Sequence, residues 1–312
     1  MQYRLLGWQA GLSSIHYIDL SIKRSVGTAV AHCSPEFLGN HGQSCTDCFV
    51  ADFNNTTLAR SVFSAPSHLT SIQWSERERS VLGGGCLNGQ TCWFDERAGM
   101  LPVGETDFEN SHTDAVFSFS WIGKTGTEFF TGSEDGYMKW WDIRNFAKPV
   151  KEFLVMTDEE AVDPEKAESV SCLSFEPTIP SKFMVGTRRG AVVSCRMQPK
   201  QGSSSMILGV YTGQCKSRVL AVDRNPFYPK NFMVVRDYST KIWCEDLHCS
   251  PIMWVKDSPA RLTAGCWSPV RMSVFFTTRV DGNVEVWDFL FQQNKPVLLL
   301  KIADHPLQCL KV

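Results

Sequence analysis

Residues 133–144 read SEDGYMKWWDIR. Asp135-Gly136 is a tight-turn dipeptide, because the positive φ of a hairpin turn suits Asp, Asn and Gly. Behind it, Trp140-Trp141-Asp142 sets two large aromatic side chains side by side in a charged stretch. Successive strand residues point to opposite faces. Adjacent tryptophans therefore fit a strand covered on both sides, or a binding site, and the rest of the chain decides between them.

The stretch recurs. With its lead-in it is AVFSFSW (115–121) followed by TEFFTGSEDGYMKWWDIR (127–144). Similar pairs are LTSIQW (69–74) with VLGGGCLNGQTCWFDER (81–97), and VSCLSFEP (170–177) with KFMVGTRRGAVVSC (182–195). VLAVDRNP (219–226) with FMVVRDYSTKIWCED (232–246), and LTAGCWSP (262–269) with VFFTTRVDGNVEVWDF (274–289), complete the set. Aligned on aromatic or equivalent positions, the inner intervals are 19 (Trp74 to Trp93), 20 (Trp121 to Trp141), 20 (Phe175 to Cys195), 19 (Arg224 to Trp243) and 20 (Trp267 to Trp287). The spacing between copies drifts from 43 to 54 residues, so insertions fall in the connections.

A period near 40–50 residues, with three β-like segments and a fourth in the connection, indicates four-stranded β-propeller blades. Asn88-Gly89 and Asp281-Gly282 repeat the hairpin signal, Arg189-Gly190 is a weaker version, and Tyr238-Ser239 departs from it. The reading is all-β: six recognisable blades at 13–66 (degenerate), 67–111, 112–157, 168–215, 216–257 and 258–304, with 305–312 starting a last one. Trp74, Trp93, Trp121, Trp141, Trp243, Trp267 and Trp287 are assigned to repeated packing positions. Asp135, Gly136, Asp281 and Gly282 shape hairpins, and Asp142 and Asp288 close the third strand. Gly83-Gly84-Gly85 reads as close packing near the propeller axis, since no helix follows to present a phosphate site.

Composition narrows the function. The 312 residues carry 31 basic and 33 acidic side chains, a net charge of −2, which supplies no global field for nucleic acid or an anionic membrane. No apolar run reaches membrane-spanning length, and the chain reads as cytosolic with no leader. Its 12 cysteines read as small buried side chains rather than a disulfide framework. Cys45-Thr46-Asp47-Cys48 lacks a second pair at zinc spacing. The seven histidines show no metal-ligand spacing, and phosphate-loop, nucleophile-elbow and zinc-protease motifs are missing. No catalytic residue, metal or cofactor is assigned.

The endings WWDIR (140–144) and VWDF (286–289) resemble WD40 repeats, with WCED (243–246) a looser match. LGGGCLNGQ (82–90), KTGTEFFTGSEDGYMKWWDIR (124–144), PSKFMVGTRRGAVVSC (180–195), RNPFYPKNF (224–232), WSPVRMSVFFTTRVDGNVEVWDF (267–289) and LLLKIADHPLQCLKV (298–312) resemble axonemal dynein intermediate chains, closest the second, outer-arm type. The resemblance runs from about residue 66 to the end. It implies a non-catalytic subunit of the axoneme of a cilium or flagellum, in the cytoplasm and cytoskeleton. Implied partners are the dynein heavy chain, gripped at its tail by the propeller, a second intermediate chain and light chains. Microtubule association comes through the complex. The family's N-terminal light-chain-binding extension is expected to be absent or very short here. The last blade is expected to be completed by QYRLLGWQ (2–9), left open, or missing because the sequence is partial.

Binding surfaces are sought in loops. Hairpin turns of a propeller share one face, which groups Glu134, Asp135, Arg188, Arg189, Asp237, Tyr238, Arg279 and Asp281. On the opposite face, Phe227 and Tyr228 lie between two prolines beside Lys230. They serve either as rigid interface anchors or, for Phe227, as a plug under its own blade. Arg271 in SPVRM is a further candidate, and Trp140 and Arg144 stay open as contact residues. Residues 157–168 and 198–205 read as mobile loops. A rival reading is a WD40 substrate receptor of a cullin–RING ubiquitin ligase, which rests on one W-D-x-R match, Trp141–Arg144.

Overall fold

The computed structural model describes residues 16–19, 30–33, 47–52, 55–75, 77–122, 126–156, 167–176, 181–197, 206–212, 217–255, 258–304 and 306–311. The chain divides into two compact units, 27–175 and a second formed by 1–26 with 176–312. β1 (His16–Asp19) belongs to the second.

The unit 27–175 opens with an antiparallel three-stranded sheet of β2 (Val30–Cys33), β3 (Asp47–Asp52) and β4 (Asn55–Ser64). Two four-stranded blades follow. The first comprises β5 (Leu69–Trp74), β6 (Val81–Cys86), β7 (Thr91–Asp95) and β8 (Gly104–Glu105). The second comprises β9 (Val116–Ile122), β10 (Glu128–Ser133), β11 (Tyr137–Asp142) and β12 (Lys151–Leu154), with a short 3-10 turn at Ile143–Asn145. β13 (Val170–Phe175) ends the unit.

The second unit contains β14 (Lys182–Thr187), β15 (Ala191–Arg196) and β16 (Ile207–Thr212). Two complete blades follow. They are β17 (Val219–Arg224), β18 (Asn231–Arg236), β19 (Thr240–Cys244) and β20 (Met253–Trp254), then β21 (Leu262–Trp267), β22 (Val274–Arg279), β23 (Asn283–Asp288) and β24 (Leu298–Lys301). β25 (Leu307–Lys311) pairs with β1, and the pairing is parallel. The fold is all-β and of propeller type. Four repeats each form a four-stranded sheet within one unit, while the segment read as the degenerate 13–66 blade supplies a three-stranded sheet, and β1 joins β25 instead of it. Residues 2–9, read as a source of missing strands, lie outside the described residues.

The second strand of each repeat is nearly or wholly buried, because it lies between two strands, and even its polar residues, such as Thr131, Thr277 and Thr278, are inaccessible. β6 and β22 are buried at every position. Glycine makes a close approach at two equivalent places. A Cβ on Gly85 would stand 2.3 Å from Cγ1 of Val116, and one on Gly132 would stand 2.5 Å from Cγ1 of Val170. In each case the next repeat's first strand sets a valine into the notch. Gly83 and Gly84 are also crowded, with a Cβ 2.3 Å from Phe119 and 2.8 Å from Leu69. The hairpin glycines do what the turns require: Gly89, Gly136, Gly190 and Gly282 all have φ between 79° and 91°. The 236–239 connection is one residue shorter and carries no glycine.

The two tryptophans point to opposite faces, as alternation demands. Trp141 is completely buried and stacks near Phe129. Trp140 stacks on Phe130, which also meets Phe153 and Phe175. Trp141 closes a buried polar chain: its Nε1 donates to Thr131 Oγ1 (2.9 Å), His112 Nε2 lies 2.8 Å from that hydroxyl, and His112 Nδ1 lies 3.0 Å from Asp135 Oδ2. Strand, loop and hairpin are thereby tied through one imidazole. Burial pushes the Asp135 carboxyl up, but the bond and charge of His112 and the backbone N–H groups of Tyr137 and Thr113 outweigh it and hold it below the usual range.

One repeated position needs correction. Val81 pairs with Asp95 as Glu128 pairs with Asp142. This register places Phe94, fully buried, where Trp141 stands, while Trp93 takes the place of Trp140. The aromatic ladder thus runs through Phe94, and Trp93 packs outward against the next blade's core, beside Ile143 and Phe146.

Candidate protein-interaction surface

In the second unit, strand β17 ends in Arg224 and the chain then runs Asn225-Pro226-Phe227-Tyr228-Pro229-Lys230. Arg224 is nearly inaccessible, yet its guanidinium is held from two sides: Nη2 to Glu245 Oε1 at 2.8 Å and Nη1 to the carbonyl of Pro229 at 2.8 Å. Glu245 also pairs with Lys182, and Glu176 lies 3.6–3.7 Å from both cations. Burial pushes the Glu245 carboxyl up, but Arg224 and Lys182 outweigh it and hold it below the ordinary range. A buried pair of this kind is costly to break, because the surviving charge is stranded. Its consequence here is a loop whose base cannot shift.

The loop is fixed from within as well. Asn225 Oδ1 accepts the N–H groups of Phe227 (2.9 Å) and Tyr228 (3.1 Å), and Asn225 Nδ2 donates to the carbonyl of Met272 (2.9 Å). Asn231 N donates to Tyr228 O and Glu245 N to Lys230 O. With its backbone groups satisfied, the loop presents Phe227 at 47% and Tyr228 at 56% exposure. Phe227 is therefore displayed, not tucked under its blade. Across the Asn225–Met272 bond, Val270, Arg271 and Met272 are exposed, and Phe289 N to Ser273 O brings in exposed Leu290 and Phe291. Lys230 is exposed and bonded to Asp246 at 2.8 Å, which raises its pKa. The result is an apolar patch on two joined loops with basic groups at its margin, the composition of an interface anchor.

The other sequence candidates fall elsewhere. Arg188 and Arg189 are exposed at the β14–β15 hairpin, next to Gly190, whose carbonyl accepts from buried Arg236. Arg279 is buried and bonded to Glu285 Oε1 (3.1 Å) and to Asp281. Glu285 Oε2 in turn accepts from Thr277 Oγ1 (3.0 Å) and Trp287 Nε1 (3.2 Å). This network serves Trp287 as His112 serves Trp141, so Arg279 is engaged in the core. Asp237 pairs with Arg261 at 2.8 Å, and Tyr238 is exposed. Trp243 and Trp267 are buried, Trp74 is partly so. Trp267 donates its backbone N–H to Asp223 Oδ2 (2.8 Å), as Trp121 does to Gln73 Oε1.

Nothing in the described residues gathers three or more metal-ligating side chains. Cys45 lies outside the described residues and Cys48 is buried. Burial pushes the Cys195 thiol up to about 12, the behaviour of an inert packing residue. No helix among the described residues is long and apolar enough to cross a membrane.

Residues 157–312 match the family model described as the Dynein axonemal intermediate chain 3 WD40 domain. The chain belongs to the axonemal dynein intermediate chains. Relatives of the family bear this out over most of the sequence. It is 41% identical over 285 residues to Dynein intermediate chain 3, ciliary, of Heliocidaris crassispina, covering 91% of this chain and 47% of that one. It is 41% identical over 286 residues to Dynein axonemal intermediate chain 2 of Homo sapiens, with the same two coverages. The 70 kDa intermediate chain of the flagellar outer arm of Chlamydomonas reinhardtii is 32% identical over 269 residues, 85% of this chain and 46% of its own length. The chain spans about half the length of the curated relatives it matches.

Sequence reasoning missed His112 and Glu285, since each network occurs in one blade and a search for repeats overlooks singular residues. It also missed a second Asp-x-Arg turn, Asp95–Arg97, because the residue before it is Phe94 rather than tryptophan.

Proposed function

We propose that the chain is a non-catalytic structural subunit of the outer dynein arm, holding the tail of a heavy chain through the loops 225–230 and 268–273. It would act in the axoneme of cilia or flagella, alongside a second intermediate chain and light chains, and meet microtubules through the assembled arm. The relatives named for ciliary and flagellar outer-arm chains support this reading. The observation that carries the contact is the immobilised display of Phe227 and Tyr228, whose backbone is bonded to Asn225 and whose base is clamped by Arg224. Rigid aromatic side chains lose little entropy on binding and dominate interface energetics.

The test is co-expression with a heavy-chain tail fragment and affinity recovery. The wild-type chain should recover the tail, and the Phe227→Ala/Tyr228→Ala variant should recover at least about tenfold less, since two central anchors are each worth about 1–2 kcal/mol. Circular dichroism should be unchanged. Equal recovery by the variant would overturn the assignment of the loop. Recovery of a ubiquitin-ligase adaptor in place of heavy chain from ciliated cells would overturn the dynein reading itself.

A further inference from the structure

In the unit 27–175 two neighbouring blades end their third strands in the same way. Asp95 Oδ1 accepts Arg97 N and Nε at 3.0 Å each, and Oδ2 accepts Arg97 Nη2 at 2.8 Å. Asp142 does the same for Arg144, at 3.0, 3.0 and 2.7 Å. The side chains of the two arginines are 68% and 69% exposed. Each uses its Nε–Nη2 edge on its own aspartate. Nη1 of each makes no hydrogen bond among the described residues, and Arg97 Nη2 also donates to Glu78 Oε2 at 3.4 Å, so the second edge is open at Arg144 and weakly held by an exposed carboxylate at Arg97.

The turn does not require the arginine. Asp288 closes β23 with the same bond, accepting Leu290 N at 3.1 Å, and there the arginine's place is held by leucine. The two arginine turns are also held in fixed relation. Val81, which pairs with Asp95, shares one core with Trp121, Phe129 and Trp141, and Ile143, next to Arg144, packs on it. Arg77, Arg79 and Lys148 are exposed on the adjoining loops, with Glu78 opposed at 3.4 Å from Arg97. Apolar side chains accompany each arginine: Met100 and Leu101 follow Arg97, and Val150 follows Arg144, all exposed.

We propose that Arg97 and Arg144 form a two-point anchor for an acidic, leucine-bearing peptide segment of a partner protein. Carboxylates of the segment would take the Nη1–Nη2 edges, displacing exposed Glu78 from Arg97, giving an aspartate–arginine–carboxylate chain at each point, and its apolar side chains would rest on Met100, Leu101 and Val150. Arginine suits this because its planar fork can serve two acceptors at once, which an ammonium cannot do with fixed geometry. The aspartates position the fork beforehand, so less side-chain entropy is lost on binding. This surface lies in the other unit from the loops assigned to the heavy chain and does not depend on that assignment.

Fluorescence anisotropy with a labelled peptide of alternating Glu and Leu pairs tests it, with Gln-for-Glu and Lys-for-Glu peptides and a single-stranded oligonucleotide as comparison probes. The Glu peptide should bind, weaken with added salt, and lose at least about tenfold in affinity to Arg97→Gln/Arg144→Gln. Arg144→Lys should give an intermediate loss, because charge is kept while the fork is not. Lys295→Gln, an exposed cation in the other unit, should leave binding unchanged. Equal binding by the double variant, equal binding of the Gln peptide, or preference for the oligonucleotide overturns the proposal. The Gln-peptide comparison uses the wild-type chain, so it decides the matter even if the double variant fails to fold.

Discussion

Replacing Thr131 with valine changes almost no volume but removes the oxygen at the centre of the Trp141–Thr131–His112–Asp135 chain. Thr131 and Trp141 are completely inaccessible and the His112 side chain is too. Valine would leave Trp141 Nε1 and His112 Nε2 buried with no partner, and each such group costs about 1–3 kcal/mol. Against this, burying one added methyl in place of a hydroxyl returns about 1 kcal/mol. The expected net loss is therefore roughly 1–5 kcal/mol, read as a lowered midpoint in urea unfolding followed by circular dichroism. The control is Thr113→Val, whose side chain is exposed and which meets Asp135 only through its backbone N–H; it should stay within about 0.5 kcal/mol. On a His112→Leu background, Thr131→Val should cost less than on the wild type, since one of the two orphaned groups is already gone. A Thr131→Val midpoint matching the control would refute the reasoning, and so would strict additivity of the two changes.

Asp223 supplies a pH prediction. Burial pushes its carboxyl from 3.8 up to about 7 even though Trp267 and Arg224 donate backbone N–H groups to it. The folded chain thus keeps a proton that the unfolded chain has released, so stability falls as pH rises from about 4 to about 7. Asp223→Asn should flatten that slope in thermal scans; an unchanged slope would count against it. Asp135 has the opposite sign: its depressed carboxyl stabilises the fold above about 3.8 and the contribution is lost as pH falls below that. Asp135→Asn should therefore lose less stability on acidification than wild type. Glu245→Gln leaves Arg224 and Lys182 with only the longer Glu176 contacts and is expected to cost about 3 kcal/mol, while increasing proteolytic cleavage at the 225–230 loop; resistance equal to wild type would show that the ion cluster does not hold the loop.

The repeat was legible because burial on both faces leaves a strong mark: the apolar run in the second strand, the Asn-Gly or Asp-Gly turn, and the aspartate ending the third strand. Phe94 shows where this reading strains, since a tryptophan one residue away imitates the repeat while the hydrogen-bond register selects the phenylalanine. Arg279 read as a surface arginine on a hairpin because its acceptor, Glu285, lies across the turn and pairs with it only once the strands are in register. Phe227 and Tyr228 were identifiable from the flanking prolines. What holds them was not, because Lys182 and Arg224 come from two strands and Glu245 from the turn after a third, spread over 64 residues of sequence.

The valines seated against Gly85 and Gly132 bear on how such a chain can change over time. A repeat inserted or lost between them would bring a new first strand to the notch, and only one that carries a side chain of the right reach would seat there. Because both notches receive a valine, these two junctions accept the same first strand, while a repeat lacking that valine would leave the notch empty. Exchanging the two partners, Gly85→Val with Val116→Gly, should recover part of what Gly85→Val alone destroys, whereas moving either residue singly would not.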